Sequence, residues 1–175
     1  MLNASTYIDI DRLTAIFQSH VASLESAGFV CSCHAAFESW FRVELVPALK
    51  KLGVAEDKIH TDFTYPSSKS KADLVVYLAG GKTIFELKCF VSGQESNKRN
   101  AFPIQLNRLL GSIGNNEIIQ VIALTTYIGY ASDTVTRRMQ NLFRDSRWNV
   151  VGPCHLVKNY PLQICVADSR VEGRG

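Results

Sequence analysis

The chain has no long apolar run and no targeting segment of a familiar kind. Crossing a bilayer takes roughly 20 consecutive apolar residues, and no stretch comes near that length. The opening residues, MLNASTYIDIDRLTAIF, lack the basic region followed by an apolar run that marks a signal peptide. The sequence therefore predicts a soluble cytoplasmic protein with no membrane association.

Charge of one sign is also scarce. The formal net charge of +3 is only mildly basic, so it permits an anionic partner without requiring one. Internal repeats, low-complexity tracts and long linkers are missing too. With 175 residues, of which 46% are hydrophobic, the chain predicts a single domain spanning residues 1–175 with a proper buried core.

Three common signatures of catalysis and of nucleotide binding are missing from the chain. We find no Ser/His/Asp order, no phosphate-cradling glycine loop and no dinucleotide fingerprint. The five cysteines are an odd number, which favours reduced thiols. A structural zinc site is an alternative, with candidate ligands Cys31, Cys33, His34, Cys154 and His155. Because the C-x-C spacing is not the usual C-x₂-C pair, buried thiols are the favoured interpretation.

Hydrophobic spacing predicts two helices in the first third of the chain. The first covers Ile8–Ala27 and ends at Gly28. The second runs from about Ala35 to Leu52, with Gly53 as its C-terminal stop. Pro47 inside it removes a backbone donor, so we expect a kink or a division there.

From there the period changes to that of strands. Ile59–Tyr65, Ala72–Leu78 and Thr83–Phe90 are β-rich, and Gly80-Gly81 predicts a hairpin between the last two. The later elements are listed in order: a polar loop over Ser92–Asn100, a helix over Pro103–Leu110, a buried strand over Glu117–Thr126, a helix capped by Ser132 through Phe143, and strands over Trp148–Val151 and Leu162–Val166. This order predicts an α/β fold, a central mixed sheet with helices on both faces.

Two acidic residues lie where the strand pattern calls for apolar ones. Asp73 opens one strand of the hairpin and Glu86 lies inside the other. A carboxylate in a packed strand is costly unless something pairs with it, and a divalent cation is one such partner. Lys88 follows Glu86 at i+2, on the same face of its strand. Two carboxylates and an ammonium would then point to one spot, an arrangement suited to Mg²⁺ and to phosphodiester hydrolysis.

Asp73, twelve intervening residues and then Glu86-Leu87-Lys88 resemble the D…(D/E)-x-K signature of the PD-(D/E)XK nuclease superfamily, which has a restriction-endonuclease-like fold. The resemblance covers about residues 35–126 and implies an αβββαβ core, on which the helix at 8–27 and the C-terminal α/β elements pack. It implies that Asp73, Glu86 and the Leu87 carbonyl ligate Mg²⁺ (or Mn²⁺), and that Lys88 orients or activates the water. Ala72 stands where the signature has its proline, a departure that is common in the family.

The resemblance also suggests supporting residues. The family often adds a glutamate from the helix before the hairpin, and both Glu44, our first candidate, and Glu38, the second, border that helix's apolar face. Some relatives use a polar residue on the following helix, and Gln105 matches that position, with Arg108 one turn on. Solvated side chains are the alternative for all of these.

Cations flank the hairpin in the sequence. The candidate phosphate-binding residues are Lys69, Lys71, Lys98, Arg99 and Arg108, with a further basic stretch at Arg137, Arg138, Arg144 and Arg147. The expected substrate is double-stranded DNA, and the small size suggests a homodimer or a partner subunit.

Three alternatives stay open. In the first, the hairpin lies on the surface and Lys88 forms only an ion pair with Glu86 or Asp73. The chain would be a catalytically inactive nuclease-fold module that binds nucleic acid in the second, or a protein-binding accessory subunit in the third.

Overall fold

The structure, a computed structural model, describes residues 6–24, 37–61, 64, 71–93, 98–112, 118–156 and 162–171. Within these ranges the chain forms four α-helices, a short 3₁₀ turn and six β-strands. Their order, α, α, β, β, β, α, β, α, β, β, confirms the order expected from the sequence. The architecture is α/β with one mixed sheet, as predicted.

The helices are bounded as follows: α1 (Ile10–Ala22), α2 (Phe37–Lys51), α3 (Lys98–Ser112) and α4 (Ser132–Leu142), with the 3₁₀ turn at Glu56–Lys58. The strands are β1 (Ile59–His60), β2 (Leu74–Leu78), β3 (Gly81–Val91), β4 (Ile119–Ile128), β5 (Asn149–His155) and β6 (Leu162–Val171).

The sheet has the strand order β1-β2-β3-β4-β6-β5. Only β3 and β4 run parallel among these neighbours, and α3 connects them. The expected hairpin joins β2 to β3, with Leu78 paired to Gly81. A Cβ at Gly81 would collide with the carbonyl oxygen of Ile118, so this position accepts only glycine without a backbone shift.

Helices cover both faces of the sheet and give the core two sides. Alternate residues of β3 divide between them, because side chains along a strand point to opposite faces. Phe85 and Leu87 pack with α1 and α2, whereas Ile84 and Phe90 pack with residues of α3 and its surroundings. β4 is buried along its whole length, as expected for a strand covered on both faces.

The N-terminal helices differ from the prediction in two respects. α1 spans Ile10–Ala22 rather than Ile8–Ala27. Asp9 is its N-cap: the Asp9 side chain accepts the Arg12 amide at 3.1 Å, so the helix begins at the next residue, Ile10. α2 continues through Pro47 as one helix, so of the two outcomes expected there, a kink or a division, the division was wrong. The carbonyl that loses its donor there belongs to the exposed Val43, where water can replace it. Gly53 has φ 95° after the helix, as expected of its stop.

Other boundaries moved as well. β1 is Ile59–His60, with an isolated bridge from Thr64 to Lys71 further on. Residues 62, 63 and 65 of the predicted strand lie outside the described residues. α3 begins at Lys98, so the predicted loop over 92–100 was too long and Pro103 lies inside the helix. Ser132 is the first residue of α4 rather than its cap, because Ala131 occupies the cap position and makes no side-chain bond.

In the ranges described above, no helix combines the length and the apolar character needed to cross a membrane.

Candidate active site

The candidate site lies where β3 outruns its neighbour β2. The two strands pair from Gly81 to Phe85 on β3, with Leu74 opposite Phe85, and β3 then continues to Val91. Asp73 directly precedes β2, so the same register places it opposite Glu86. Its Oδ2 accepts the Leu87 amide at 2.8 Å. Asp73 therefore reaches the backbone between Glu86 and Lys88.

Glu38, at the start of α2, occupies the next position along this open edge. Its Oε1 accepts the Cys89 amide at 3.1 Å and lies 3.0 Å from the Lys88 Nζ. Amides two residues apart on a strand point to the same edge. Asp73 and Glu38 thus bond successive backbone donors of β3, at Leu87 and Cys89, that β2 does not reach.

Glu86 faces the opposite helix layer. Its side chain lies on the β3 face that packs against α3, and the residue is only 2% exposed. The Gln105 Nε2 donates to Glu86 Oε2 at 2.9 Å. Such a bond holds the carboxylate in one orientation, which is how supporting residues position ligands at metal sites. The structure therefore brings Gln105, the candidate on the following helix, into contact with Glu86.

Arg42 is the member of the site that the sequence analysis missed. Its Nη2 donates to Asp73 Oδ1 at 2.8 Å, so the two oxygens of Asp73 are held by Arg42 and by the Leu87 amide. Arg42 lies four residues after Glu38, and side chains at that spacing share one edge of a helix. That spacing was the signal available in the sequence, because a helix edge that supplies Glu38 to the site also supplies Arg42.

The electrostatics of Asp73 reflect its surroundings. Burial raises its pKa above the ordinary value, and the negative charge of Glu38 acts in the same direction. The Leu87 amide, Arg42 and Lys88 act against this rise by favouring the ionised form. Asp73 is therefore a carboxylate that neighbouring donors and cations only partly compensate.

Glu44, the first candidate for the added glutamate, lies elsewhere. Its Oε2 is 2.8 Å from the His20 Nε2 of α1, in a largely buried pair. At 1.5 Å per residue it stands about 9 Å beyond Glu38 along the helix axis. Glu38 thus contacts Lys88, whereas Glu44 ties α2 to α1.

The candidate phosphate-binding cations are only partly described. Lys69 lies outside the described residues, and Lys98 and Arg99 lie in the first turn of α3 with side chains outside the description. Lys71 and Arg108 are exposed. Of the further basic stretch, Arg137, Arg144 and Arg147 bond Asp133, Asn141 and Asp145, and Arg138 lies over the Tyr130 ring.

Of the candidate zinc ligands, the structure describes only Cys154 and His155. Cys31, Cys33 and His34 lie outside the described residues. Cys154 is partly buried in β5, and burial raises the pKa of its thiol. The His155 Nε2 lies 3.4 Å from the Ser132 hydroxyl.

The donor set of the site can be tested for its fit to a divalent cation. Carboxylate and carbonyl oxygens are the ligands that Mg²⁺ prefers, and Asp73, Glu86 and the Leu87 carbonyl are of that kind. The oxygens of a carboxylate have about four acceptor positions between them, so the bonds of Asp73 to Arg42 and Leu87 leave room for a cation. In the described part of the chain, no three or more His, Cys, Asp or Glu side chains form a metal-holding group. The implied set has two acidic side chains, and on its chemistry it fits.

Comparisons with known proteins found nothing similar: no family model, no curated protein and no solved structure matches the chain significantly.

Proposed function

We propose that this chain is a metal-dependent nuclease that hydrolyses phosphodiester bonds of DNA, with Asp73, Glu86 and Lys88 as its catalytic residues. The observation that carries the proposal is the bond from the Leu87 amide to Asp73. It sets one carboxylate beside the strand segment that bears Glu86 and Lys88. A structural ion pair alone does not need the buried Glu86 and the partly buried Asp73 on neighbouring segments, and acids in such surroundings are typical of functional sites.

The order of elements supports the more specific fold hypothesis. From α2 to β4 the chain follows α, β, β, β, α, β, the order of the restriction-endonuclease-like core that the D…E-x-K resemblance implies. The catalytic residues belong to the hairpin of β2 and β3 in that hypothesis, and Glu38 and Gln105 come from the helices before and after it.

The residues divide the chemistry among them. Asp73, Glu86 and the Leu87 carbonyl would hold Mg²⁺ (or Mn²⁺), which when bound polarises the scissile phosphate and makes a water more acidic. The Lys88 ammonium has three donors. Among the described residues one of them reaches Glu38, and another would orient the attacking water. Gln105 would keep the Glu86 carboxylate turned toward the site.

The substrate assignment rests on the resemblance and on the flanking cations. Cleavage would leave a 5′-phosphate and a 3′-hydroxyl, as the resemblance implies. Lys71 and Arg108 are exposed and would contact phosphates of the backbone. Cutting both strands of a duplex would need a dimer or two encounters.

The test is a cleavage assay on supercoiled and linear duplex DNA. We expect cleavage with Mg²⁺ or Mn²⁺ and none with EDTA. The substitutions Asp73→Asn, Glu86→Gln and Lys88→Met should each lower the rate by at least about 100-fold. Asp57→Asn and Lys58→Met are matched controls, because these exposed residues pair with each other in the 3₁₀ turn. Undiminished cleavage by the three site variants would defeat the assignment.

One observation favours a second candidate, a nuclease-fold module that binds nucleic acid without cutting it. Both oxygens of Asp73 are already bonded to protein donors, and Glu38 is paired with Lys88. Such a module would retain DNA with a steep salt dependence and would never cleave it, whatever divalent cation is supplied.

A further inference from the structure

Arg42 makes less use of its guanidinium than its position would allow. A guanidinium has five N–H donors. In the described part of the chain only Nη2 bonds a partner, Asp73, and the buried Nε has none. A buried donor without a partner is costly, and in native proteins such a group calls for an explanation.

The missing bond follows from how Asp73 is held. The Nε and one Nη of an arginine form an edge that binds two oxygens of a single carboxylate or phosphate. Asp73 supplies only Oδ1 to that edge, because its Oδ2 accepts the Leu87 amide instead. The edge is therefore half filled by the carboxylate it faces.

The guanidinium is also within reach of solvent. The Arg42 side chain is 34% exposed, and since Nε is buried, the exposed part belongs to the rest of the side chain. Lys88, the other cation of the site, is bonded to Glu38 and is less exposed. Of the two cations, Arg42 is therefore the more exposed, and among the described residues it has the larger number of N–H groups for a ligand that arrives from solvent.

The net charge of the site decides whether it attracts or repels an anion such as a phosphate. In their ionised forms, the acids Glu38, Asp73 and Glu86 outnumber the cations Arg42 and Lys88, which leaves a net charge of −1. That charge repels a phosphodiester. A divalent cation changes it to +1, and it also takes over part of the neutralisation of Asp73 that Arg42 provides.

We infer that Arg42 has a second partner, a phosphate of the nucleic acid, which it binds once a divalent cation shares Asp73. This inference rests on the proposed function, because it places the substrate at the same site. It makes Arg42 a substrate-binding residue whose contribution depends on the cation. Arginine suits the role because its two Nη groups form a second planar edge, which can match two phosphate oxygens as a lysine cannot.

The experiment measures binding of a duplex oligonucleotide by fluorescence anisotropy, with and without Ca²⁺, and Mg²⁺ binding by calorimetry. The wild type should bind DNA more tightly with Ca²⁺. Arg42→Gln should lose about 10- to 100-fold of that gain, and Arg42→Lys should lose part of it. The Mg²⁺ affinity of Arg42→Gln should stay the same or rise, because the cation no longer shares Asp73 with Arg42. Arg12→Gln on α1, an exposed arginine, is the control and should behave as wild type.

Three results would overturn the inference. They are a wild type whose DNA affinity does not respond to Ca²⁺, an Arg42→Gln protein that keeps the full gain, and a Mg²⁺ affinity that falls in proportion to DNA affinity. If Arg42→Gln does not fold, Arg42→Lys decides, and an unchanged gain in that variant contradicts the inference. A wild type that cleaves DNA while Arg42→Gln keeps the gain refutes the inference alone. A wild type that never cleaves while Arg42→Gln loses the gain refutes only the nuclease proposal.

Discussion

Removing the cation of the Arg42–Asp73 pair should destabilise the protein more than removing its anion. The pair is half-buried, with side chains 34% and 24% exposed and 2.8 Å between Nη2 and Oδ1. At about 4 Å between charge centres, the attraction is roughly 1 kcal/mol in water and about 4 kcal/mol at an effective dielectric of 20. A position between these limits gives about 1–3 kcal/mol for Arg42→Gln, which leaves Asp73 ionised without its main cation. Asp73→Asn should cost less, because burial already disfavours the charged form of Asp73 and raises its pKa.

A double-mutant cycle measures the coupling energy between Arg42 and Asp73. It compares urea denaturation of the wild type, the two single variants and the double variant. We expect a coupling energy of about 1–2 kcal/mol and a double variant close to Asp73→Asn. The exposed Lys50–Glu56 pair, at 51% and 75% exposure, is the control, and its coupling should stay below about 0.5 kcal/mol.

The destabilisation caused by Arg42→Gln should depend on pH, because it acts on the ionised form of Asp73. Since the folded-state pKa of Asp73 is raised, its ionised form is penalised above that pKa, and the penalty disappears at lower pH. The destabilisation by Arg42→Gln should therefore shrink as pH falls through that raised pKa. A coupling below about 0.5 kcal/mol, or a destabilisation that grows in acid, would refute the reasoning.

Three further predictions concern the site itself. Glu38→Gln should slow cleavage by about 10-fold, since it loosens Lys88, whereas Glu44→Gln should leave the rate within about twofold and lower only the unfolding free energy, by about 1 kcal/mol; equal effects on cleavage would contradict this. Gln105→Ala should weaken Mg²⁺ binding by about 10- to 100-fold, as measured by calorimetry, and an unchanged affinity would show that Gln105 does not position the site. Mg²⁺ affinity should fall as pH decreases through the raised pKa of Asp73, because protons and the cation compete for the same oxygens; a midpoint at or below the ordinary aspartate value of 3.8 would refute this.

The order of elements could be predicted because local patterns encode it. The period of the apolar residues separates helices from strands, and Gly80-Gly81 between two β-rich runs favours a hairpin. The boundaries were less accurate, since they depend on contacts beyond the local window. Pro47 illustrates this, because its missing hydrogen bond falls on the exposed Val43 rather than in the core.

The candidate site could be predicted for the hairpin but not for the helix before it. Asp73 and Glu86 are fixed by strand register once the turn is known. Which edge of α2 faces β3 depends instead on how the helix is rotated against the core, and that rotation is set by packing around Phe41 and Leu45. Glu38 and Glu44 both border the apolar face, so the sequence alone could not choose between them.

The most direct test of the account is to locate a cation in a crystal soaked with Mn²⁺, by its anomalous scattering. We predict one peak within about 2.5 Å of carboxylate oxygens of both Asp73 and Glu86 and of the Leu87 carbonyl. No peak at the site, or a peak that contacts only one of the two carboxylates, would contradict the claim that these neighbouring strands share one metal ion.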